Sequence, residues 1–213
     1  MTTAQRAPAT GRSYGGQTAD QRDAERRRRL LGASLDLIGT KGYAAATIEK
    51  MCTTANVSTR HFYLIYDSKE SAFIDLYDQL TAASYRNVEA SLSLTSGKPL
   101  GERVASAFMA YIKPMLEDER VARISFVEIM GAGPRIEALR IGYRERLVEL
   151  VQIEGGAAAA RGEIRDRNFR FAALALAGAV TTIVYDWMLQ PDGSPAAELE
   201  SALAELASDL LTR

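Results

Sequence analysis

The sequence has one cysteine and one histidine, and this scarcity excludes several kinds of site. Cys52 alone cannot form an internal disulfide, and one Cys with one His cannot make a Cys/His zinc site. A reducing cytoplasm is therefore the compartment that the sequence favours. Acid–base chemistry is conceivable only for Glu128 with Asp186, and the sequence lacks a nucleophile elbow, a phosphate loop and a triad histidine. We expect neither enzyme activity nor a cofactor.

Long hydrophobic runs and strand-like alternation are also lacking. The longest uncharged apolar run, 171–185, is shorter than the ~20 residues that cross a bilayer, so we expect no membrane span. The first 22 residues have no apolar signal core, which argues against secretion, and no apolar period, which predicts a disordered arm. The 47% apolar content is ample for a core. These features predict a soluble, all-α protein.

Apolar residues at three- and four-residue spacing predict about nine helices. The expected helices lie at about 24–40, 48–55, from 59 after the cap at Ser58, 69–94, 100–117, 120–130, 136–160, 168–189 and after 195. The pair Gly155-Gly156 is expected to interrupt or weaken the helix that contains it. We predict an arm at 1–22, one domain at 23–83 and a second helical domain at 84–213.

The stretch 47–70 reads as two short helices joined by a tight turn. Asn56 tolerates a left-handed backbone, Val57 can fill the corner between the helices, and Ser58 can cap the second helix. At about 100° per residue, one face of that helix carries Thr59, Arg60, Tyr63 and Leu64, whereas Phe62 and Ile65 lie on another. A short, braced helix that presents such side chains suits the DNA major groove.

The charge distribution agrees with a DNA-binding N-terminal end. Residues 1–70 carry 11 Lys or Arg and 7 Asp or Glu, a balance of +4, whereas residues 71–213 carry 15 and 20, a balance of −5. A basic end attracts phosphates, and an acidic remainder does not. For the run 26–29 alone, a solvated helix face is the favoured interpretation.

Residues 23–83 resemble the N-terminal domain of TetR-type transcriptional regulators. The matching positions are Gly42, Tyr43, Thr47, Ala55-Asn56-Val57-Ser58, Phe62, Tyr63, Tyr66 and Ser68-Lys69-Glu70. The resemblance implies an N-terminal three-helix helix-turn-helix domain followed by a helical ligand-binding and dimerisation domain. It further implies a homodimeric regulator, most simply a repressor, that binds a palindromic double-stranded DNA operator.

The DNA-binding candidates divide into base-facing and phosphate-facing residues. The helical wheel assigns Thr59, Arg60, Tyr63 and Leu64 to the bases. Thr47, Ser58 and Lys69 lie at helix N-termini, where phosphates bind. The resemblance places a phosphate contact at His61, but the wheel turns this residue partly inward, so both roles stay open.

The second domain is expected to hold the effector and the dimer interface. The resemblance implies a pocket for a small hydrophobic or amphipathic molecule, although ordinary core is the alternative for each candidate. The ligand-binding candidates are Phe108, Tyr111, Ile112, Met115, Phe126, Glu128, Ile129, Tyr143 and Trp187. Leu199, Leu203, Leu206 and Leu210 form a seam that either packs internally or helps the last two helices to dimerise.

Two other functional classes remain open at this point. The chain could be a helical interaction protein whose basic end binds a partner protein, or, with less support, an enzyme. A gel shift with pooled random duplexes separates the first class from a DNA-binding regulator.

Overall fold

The computed structural model describes residues 18–190 and 195–212, and every regular element in those ranges is helical. This confirms the predicted all-α class. The helices are α1 Ala19–Lys41, α2 Ile48–Ala55, α3 Thr59–Ile65, α4 Lys69–Leu94, α5 Leu100–Leu116, α6 Glu119–Arg123, α7 Pro134–Ala160, α8 Phe169–Leu189 and α9 Ala196–Thr212. A π-helical segment, Ile124–Glu128, follows α6 directly and is called the π-turn below.

Helix α1 begins earlier than predicted, so the expected arm at 1–22 is wrong for its last residues. The Thr18 hydroxyl accepts a hydrogen bond from the Gln21 backbone N–H, and the Gln21 side chain accepts one from the Thr18 N–H. This capping box satisfies two N–H groups that a helix start leaves unpaired. The polar sequence lacks an apolar period there, but the cap does not require one. Residues 1–17 of the predicted arm lie outside the described residues.

The N-terminal core is closely packed around the first four helices. These helices contribute the fully buried side chains of Leu30, Ile38, Met51, Phe62 and Phe73. They come from α1, α2, α3 and α4, so each short helix is held by burial against its neighbours rather than by its own propensity. The long helix α4 continues from this core to pack along α5.

A second core is formed mainly by α5, α8 and α9. Along α9 the buried row is Leu199, Leu203, Ala207 and Leu211, whereas Leu206 and Leu210 are only half-buried. The predicted leucine seam therefore packs largely within the protomer. Ala207 and Leu211 continue the four-residue spacing of Leu199 and Leu203, which aligns the row with α5.

Two predicted helix features differ in the structure. Helix α7 runs uninterrupted through Gly155, where a Cβ atom would meet the Phe169 ring at 2.6 Å. The close approach of that ring gives the glycine a packing role, and the rest of the helix tolerates its low propensity. The predicted helix at 120–130 is split into the short α6 and the π-turn.

Candidate DNA-reading helix and effector cavity

The corner between α2 and α3 has the geometry of a helix-turn-helix. Asn56 adopts the left-handed conformation, with φ 51° and ψ 49°, and the buried Val57 fills the corner. The Ser58 hydroxyl accepts a hydrogen bond from the His61 N–H and caps α3. From α1, Arg29 Nη1 donates to the Asn56 carbonyl at 3.2 Å. Helix α3 is thus fixed at its start by a turn, a cap and a contact from α1.

Helix α3 presents one face to solvent and buries the other. Phe62 is fully buried, while Tyr63 is 56% and Leu64 is 73% exposed. Thr59 and Arg60 are also exposed, so the four predicted base-facing residues share an open surface. A leucine that exposed is not needed for folding, because burial is what makes an apolar side chain stabilising.

The other DNA-binding candidates, Thr47, Lys69 and His61, each have local hydrogen-bond partners. Thr47 caps α2 by accepting a hydrogen bond from the Lys50 N–H. Lys69 Nζ donates to the Tyr43 carbonyl at 2.8 Å and lies 4.1 Å from the centre of the Tyr43 ring. Burial lowers the pKa of Lys69. His61 is half-buried, with Nδ1 2.8 Å from the hydroxyl of Ser58.

A polar clamp, formed by Arg27, Tyr66 and Asp75, ties α1 and the end of α3 to α4. The Asp75 carboxylate accepts two hydrogen bonds from Arg27, at 2.6 and 2.7 Å, and one from the Tyr66 hydroxyl at 2.5 Å. Burial alone raises the pKa of Asp75, but the Arg27 and Tyr66 hydrogen bonds outweigh it, and the net pKa is lowered. Arg27 therefore braces the fold, which the interpretation of 26–29 as a solvated face did not foresee.

A cavity of about 590 Å³ lies in the C-terminal helices and is lined mostly by apolar side chains. Its volume is typical of small-molecule sites, which span roughly 300–1,000 Å³. Five predicted ligand-binding residues line it: Phe108, Tyr111, Phe126, Ile129 and Tyr143.

Four predicted ligand-binding residues do not line this cavity. Ile112 and Met115 are buried in the core, and Trp187 packs against the same core, because the bulk of a side chain does not reveal the direction in which it points. Glu128 faces the N-terminal domain instead: its carboxylate accepts from the Tyr43 N–H at 2.7 Å and from Arg123 Nε at 2.8 Å.

The cavity also has polar groups that the sequence analysis missed. Arg140, Arg144 and Ser125 line it at the end nearest the N-terminal domain, and Glu154 lines it farther along α7. On α7, Tyr143 is the only ligand-binding candidate named from the sequence. The signal that could have distinguished them is their spacing, since residues 140, 144, 147 and 151 recur on one helical face.

The π-turn connects the cavity to the N-terminal domain. Ser125 and Phe126 line the cavity, while Glu128 in the same segment binds the backbone of Tyr43, in the loop before α2. A π-turn inserts an extra residue into a helix and is frequently found at functional sites. Gly42 lies against the same carboxylate: a Cβ atom there would be 3.2 Å from Glu128 Oε1.

Comparison with known proteins places this geometry in context. Residues 30–76 match the family described as bacterial regulatory proteins, tetR family. YerO of Bacillus subtilis (strain 168), an uncharacterized HTH-type transcriptional regulator, is 31% identical over 78 residues, which are 35% of this chain and 26% of YerO. The chain thus matches about a quarter of the length of that relative.

Solved structures resemble the chain over most of its length. FadR of Bacillus subtilis in complex with stearoyl-CoA has a TM-score of 0.73 at 17% identity, covering 86% of this chain and 97% of FadR. The fatty acid degradation regulator FadR of Bacillus halodurans has a TM-score of 0.74 at 17% identity, with 86% and 94% covered. A regulatory protein of the tetR family from Rhodococcus RHA1 has a TM-score of 0.62 at 20% identity, with 88% and 97% covered. At these identities the likeness shows the fold.

A helix-turn-helix with an exposed second helix, joined to a hollow helical domain, is the arrangement typical of helix-turn-helix transcriptional regulators. Within that class, residues 30–76 of this chain match the tetR family, and the fold of the whole chain resembles that of a tetR-family protein of known structure.

Proposed function

We propose that this chain is a cytoplasmic repressor that binds a palindromic operator as a homodimer and is released by a small hydrophobic or amphipathic effector. The observation that carries the proposal is the open face of α3. Arg60 makes no hydrogen bond or ion pair with any residue in the described ranges, and Leu64 is 73% exposed. Because the turn and the cap fix α3, exposed side chains on this helix that have no structural task are available for reading DNA.

On this proposal the residues around α3 have separate tasks at the DNA. Arg60 makes a bidentate contact to a guanine, and Leu64 contacts a thymine methyl group. Thr47 and Lys69, at the starts of α2 and α4, bind phosphates through helix N-termini and charge. The contact of Lys69 with Tyr43 fixes the position of its ammonium at the start of α4.

The surface of α8 supports the homodimer. This helix is long and apolar enough to cross a membrane by length and composition alone, with a mean hydropathy of 1.5 over a window that is 28% buried. It packs against α7 and α9 and leaves Phe171, Ile183 and Leu189 exposed, at 77%, 38% and 63%. A second copy of α8 and α9 covers this face and places two α3 helices about 34 Å apart, one turn of DNA.

The π-turn supplies the coupling between effector and DNA. An effector that presses on Phe126 or Ser125 displaces the segment that also carries Glu128, and with it the Tyr43 backbone and the loop before α2. An effector acts only through its preference for one of two conformations, so it must favour the dimer whose α3 helices do not fit the groove. The fold shared with FadR, solved with stearoyl-CoA, supports an amphipathic effector.

The test begins by selecting a palindrome from random duplexes and then measures binding of variants to it. We expect Arg60→Ala to weaken binding by about 5- to 150-fold, or ~1–3 kcal/mol, and to relax specificity at one base pair. Arg165→Ala is the matched control, because it removes the same charge from an exposed site remote from α3. Equal effects of the two substitutions would overturn the assignment of α3.

Lys69→Gln tests the phosphate contact while keeping the side-chain stem against Tyr43. It should weaken binding to all sequences alike and reduce the salt slope by about one. Failure of a folded dimer to enrich any palindrome would contradict DNA recognition and favour a partner protein at the basic end.

A further inference from the structure

The cavity is elongated, because its wall follows two long helices in parallel. Its lining residues extend from Tyr77 to Leu92 on α4 and from Arg140 to Gly155 on α7. Each of these two helical stretches is about 22 Å long at 1.5 Å per residue. Contacts between the helices advance in the same direction, from Glu70 with Arg135 to Asp78 with Tyr143 and Glu89 with Arg146. Both helices therefore lead from the N-terminal domain to the far end of the cavity.

The two ends of the cavity differ in charge. At the end beside the π-turn, Arg140 and Arg144 both line the wall. At the far end Glu154 lines it, but the buried Arg103 forms an ion pair with Glu154 and neutralises its charge. The wall between them is apolar and includes Leu147, Leu150 and Val151. The arginines of the cavity wall thus lie at the end near the N-terminal domain, and its paired glutamate lies at the other end.

Two polar atoms at that end are buried and have no hydrogen-bond partner among the described residues. They are Arg144 Nε and Ser125 Oγ. The other nitrogens of Arg144 are also weakly engaged: Nη2 is 3.4 Å from Glu145, whose carboxylate pairs more closely with Arg170, at 2.6 Å. Buried polar groups are normally satisfied, so these atoms call for an external acceptor. Arg140, by contrast, is held by two hydrogen bonds to Glu137.

We propose that the cavity takes an elongated apolar molecule with an anionic head, whose head accepts hydrogen bonds from Arg144 and Ser125. Arg140 lines the same end while paired with Glu137, and the tail lies along α4 and α7 towards Leu92. Two kinds of molecule have this chemistry. In both the tail is an alkyl chain, and the anionic head is either a free carboxylate or phosphates attached through a carrier group. This inference rests on the proposed function for its effector role, but the binding site stands on the cavity alone. It places the head in contact with the π-turn, the segment that holds Tyr43 through Glu128.

The test is direct binding to the purified full-length protein, without DNA, by titration calorimetry. The probes are dodecanoate, dodecanoyl-CoA, dodecanol and dodecyltrimethylammonium, which share a tail and differ in the head. We expect at least one of the two anions to bind tenfold or more tightly than the neutral and cationic probes. The anion that binds more tightly distinguishes a free carboxylate from a carrier-linked phosphate. Equal binding of dodecanol and both anions would overturn the proposal.

Variants locate the head group. Arg144→Gln should weaken anion binding about tenfold or more and leave dodecanol binding unchanged, and Ser125→Ala should weaken it in the same direction by a smaller factor. Arg146→Gln is the control, because it makes the same charge change on α7 at a residue that does not line the cavity. Equal losses for Arg144→Gln and Arg146→Gln would contradict the assigned head site. If the anions bind tightly but the protein–DNA complex stays intact, the binding site is supported. The proposed release of DNA by an effector is then overturned.

Discussion

The two halves of the molecule are both built from α-helices, but their interiors are packed differently. In the N-terminal domain, Phe62 and Phe73 are fully buried in the core, whereas the C-terminal helices surround a cavity of about 590 Å³. Close packing fixes side chains in single positions, while a cavity leaves its wall free to adjust. The difference indicates a rigid N-terminal domain and an adaptable C-terminal domain, called the reader and the sensor below after their proposed roles. The following substitutions test it.

The largest expected effect comes from making the same truncation in both halves. Phe62→Ala should lower the free energy of unfolding by about 3–5 kcal/mol, because the neighbours of a fully buried ring cannot collapse into the space it leaves. Phe108→Ala should cost only about 1–2 kcal/mol, since part of that ring already faces the cavity. Urea unfolding of the full chain measures both. Equal losses would mean that the two halves are packed alike.

A smaller effect is expected from the polar clamp that braces the reader. Asp75→Asn removes the charge that Arg27 and Tyr66 hold and should cost about 1–2 kcal/mol near neutral pH, since a hydrogen bond to a charged group contributes about 1.5–3 kcal/mol and Arg27 is half exposed. The control Asp23→Asn removes an exposed i,i+3 partner of Arg26 and should change stability by less than about 0.5 kcal/mol.

The same variant has a defined pH dependence. The folded-state pKa of Asp75 is lowered from its ordinary value of 3.8, so its contribution is fully present above that value. It is lost as the pH falls through the lowered, folded-state pKa, where the native carboxylate takes up its proton. Unfolding midpoints of the wild type and Asp75→Asn should therefore converge in acid. A constant difference across that range would show that shape, and not charge, carries the effect.

The reader could be predicted closely from the sequence because its determinants are local. The left-handed Asn56, the cap at Ser58 and the burial of Phe62 each follow from residue type and from spacing within one or two turns. The clamp could not be predicted, because Arg27 and Asp75 are 48 positions apart and only the folded chain brings them together. Base and phosphate contacts remain predictions.

The sensor was predictable only as a set of helices. Apolar spacing located α5, α7, α8 and α9, but the same spacing describes a core wall and a cavity wall. Ile112 and Phe108 lie one helical turn apart, yet one is buried in the core and the other lines the cavity. Glu128 was read as a ligand anchor because its helix is apolar; its actual partner, Tyr43, comes from the other domain. The π-turn had no sequence signal that we could recognise.

The smallest expected effect tests how closely the sensor's own helices are packed. Gly142 and Gly155 lie on α7, and a Cβ atom added at Gly142 meets no atom within 4 Å, whereas one at Gly155 meets the Phe169 ring. Gly142→Ala should therefore stabilise the protein by about 0.5–1 kcal/mol, the difference in helix propensity. Gly155→Ala gains the same propensity but must displace the ring, so it should destabilise. Thermal unfolding of both variants measures the contrast. Stabilisation by both variants would mean that the Phe169 ring moves aside easily. The α7–α8 contact would then be as adaptable as the cavity wall.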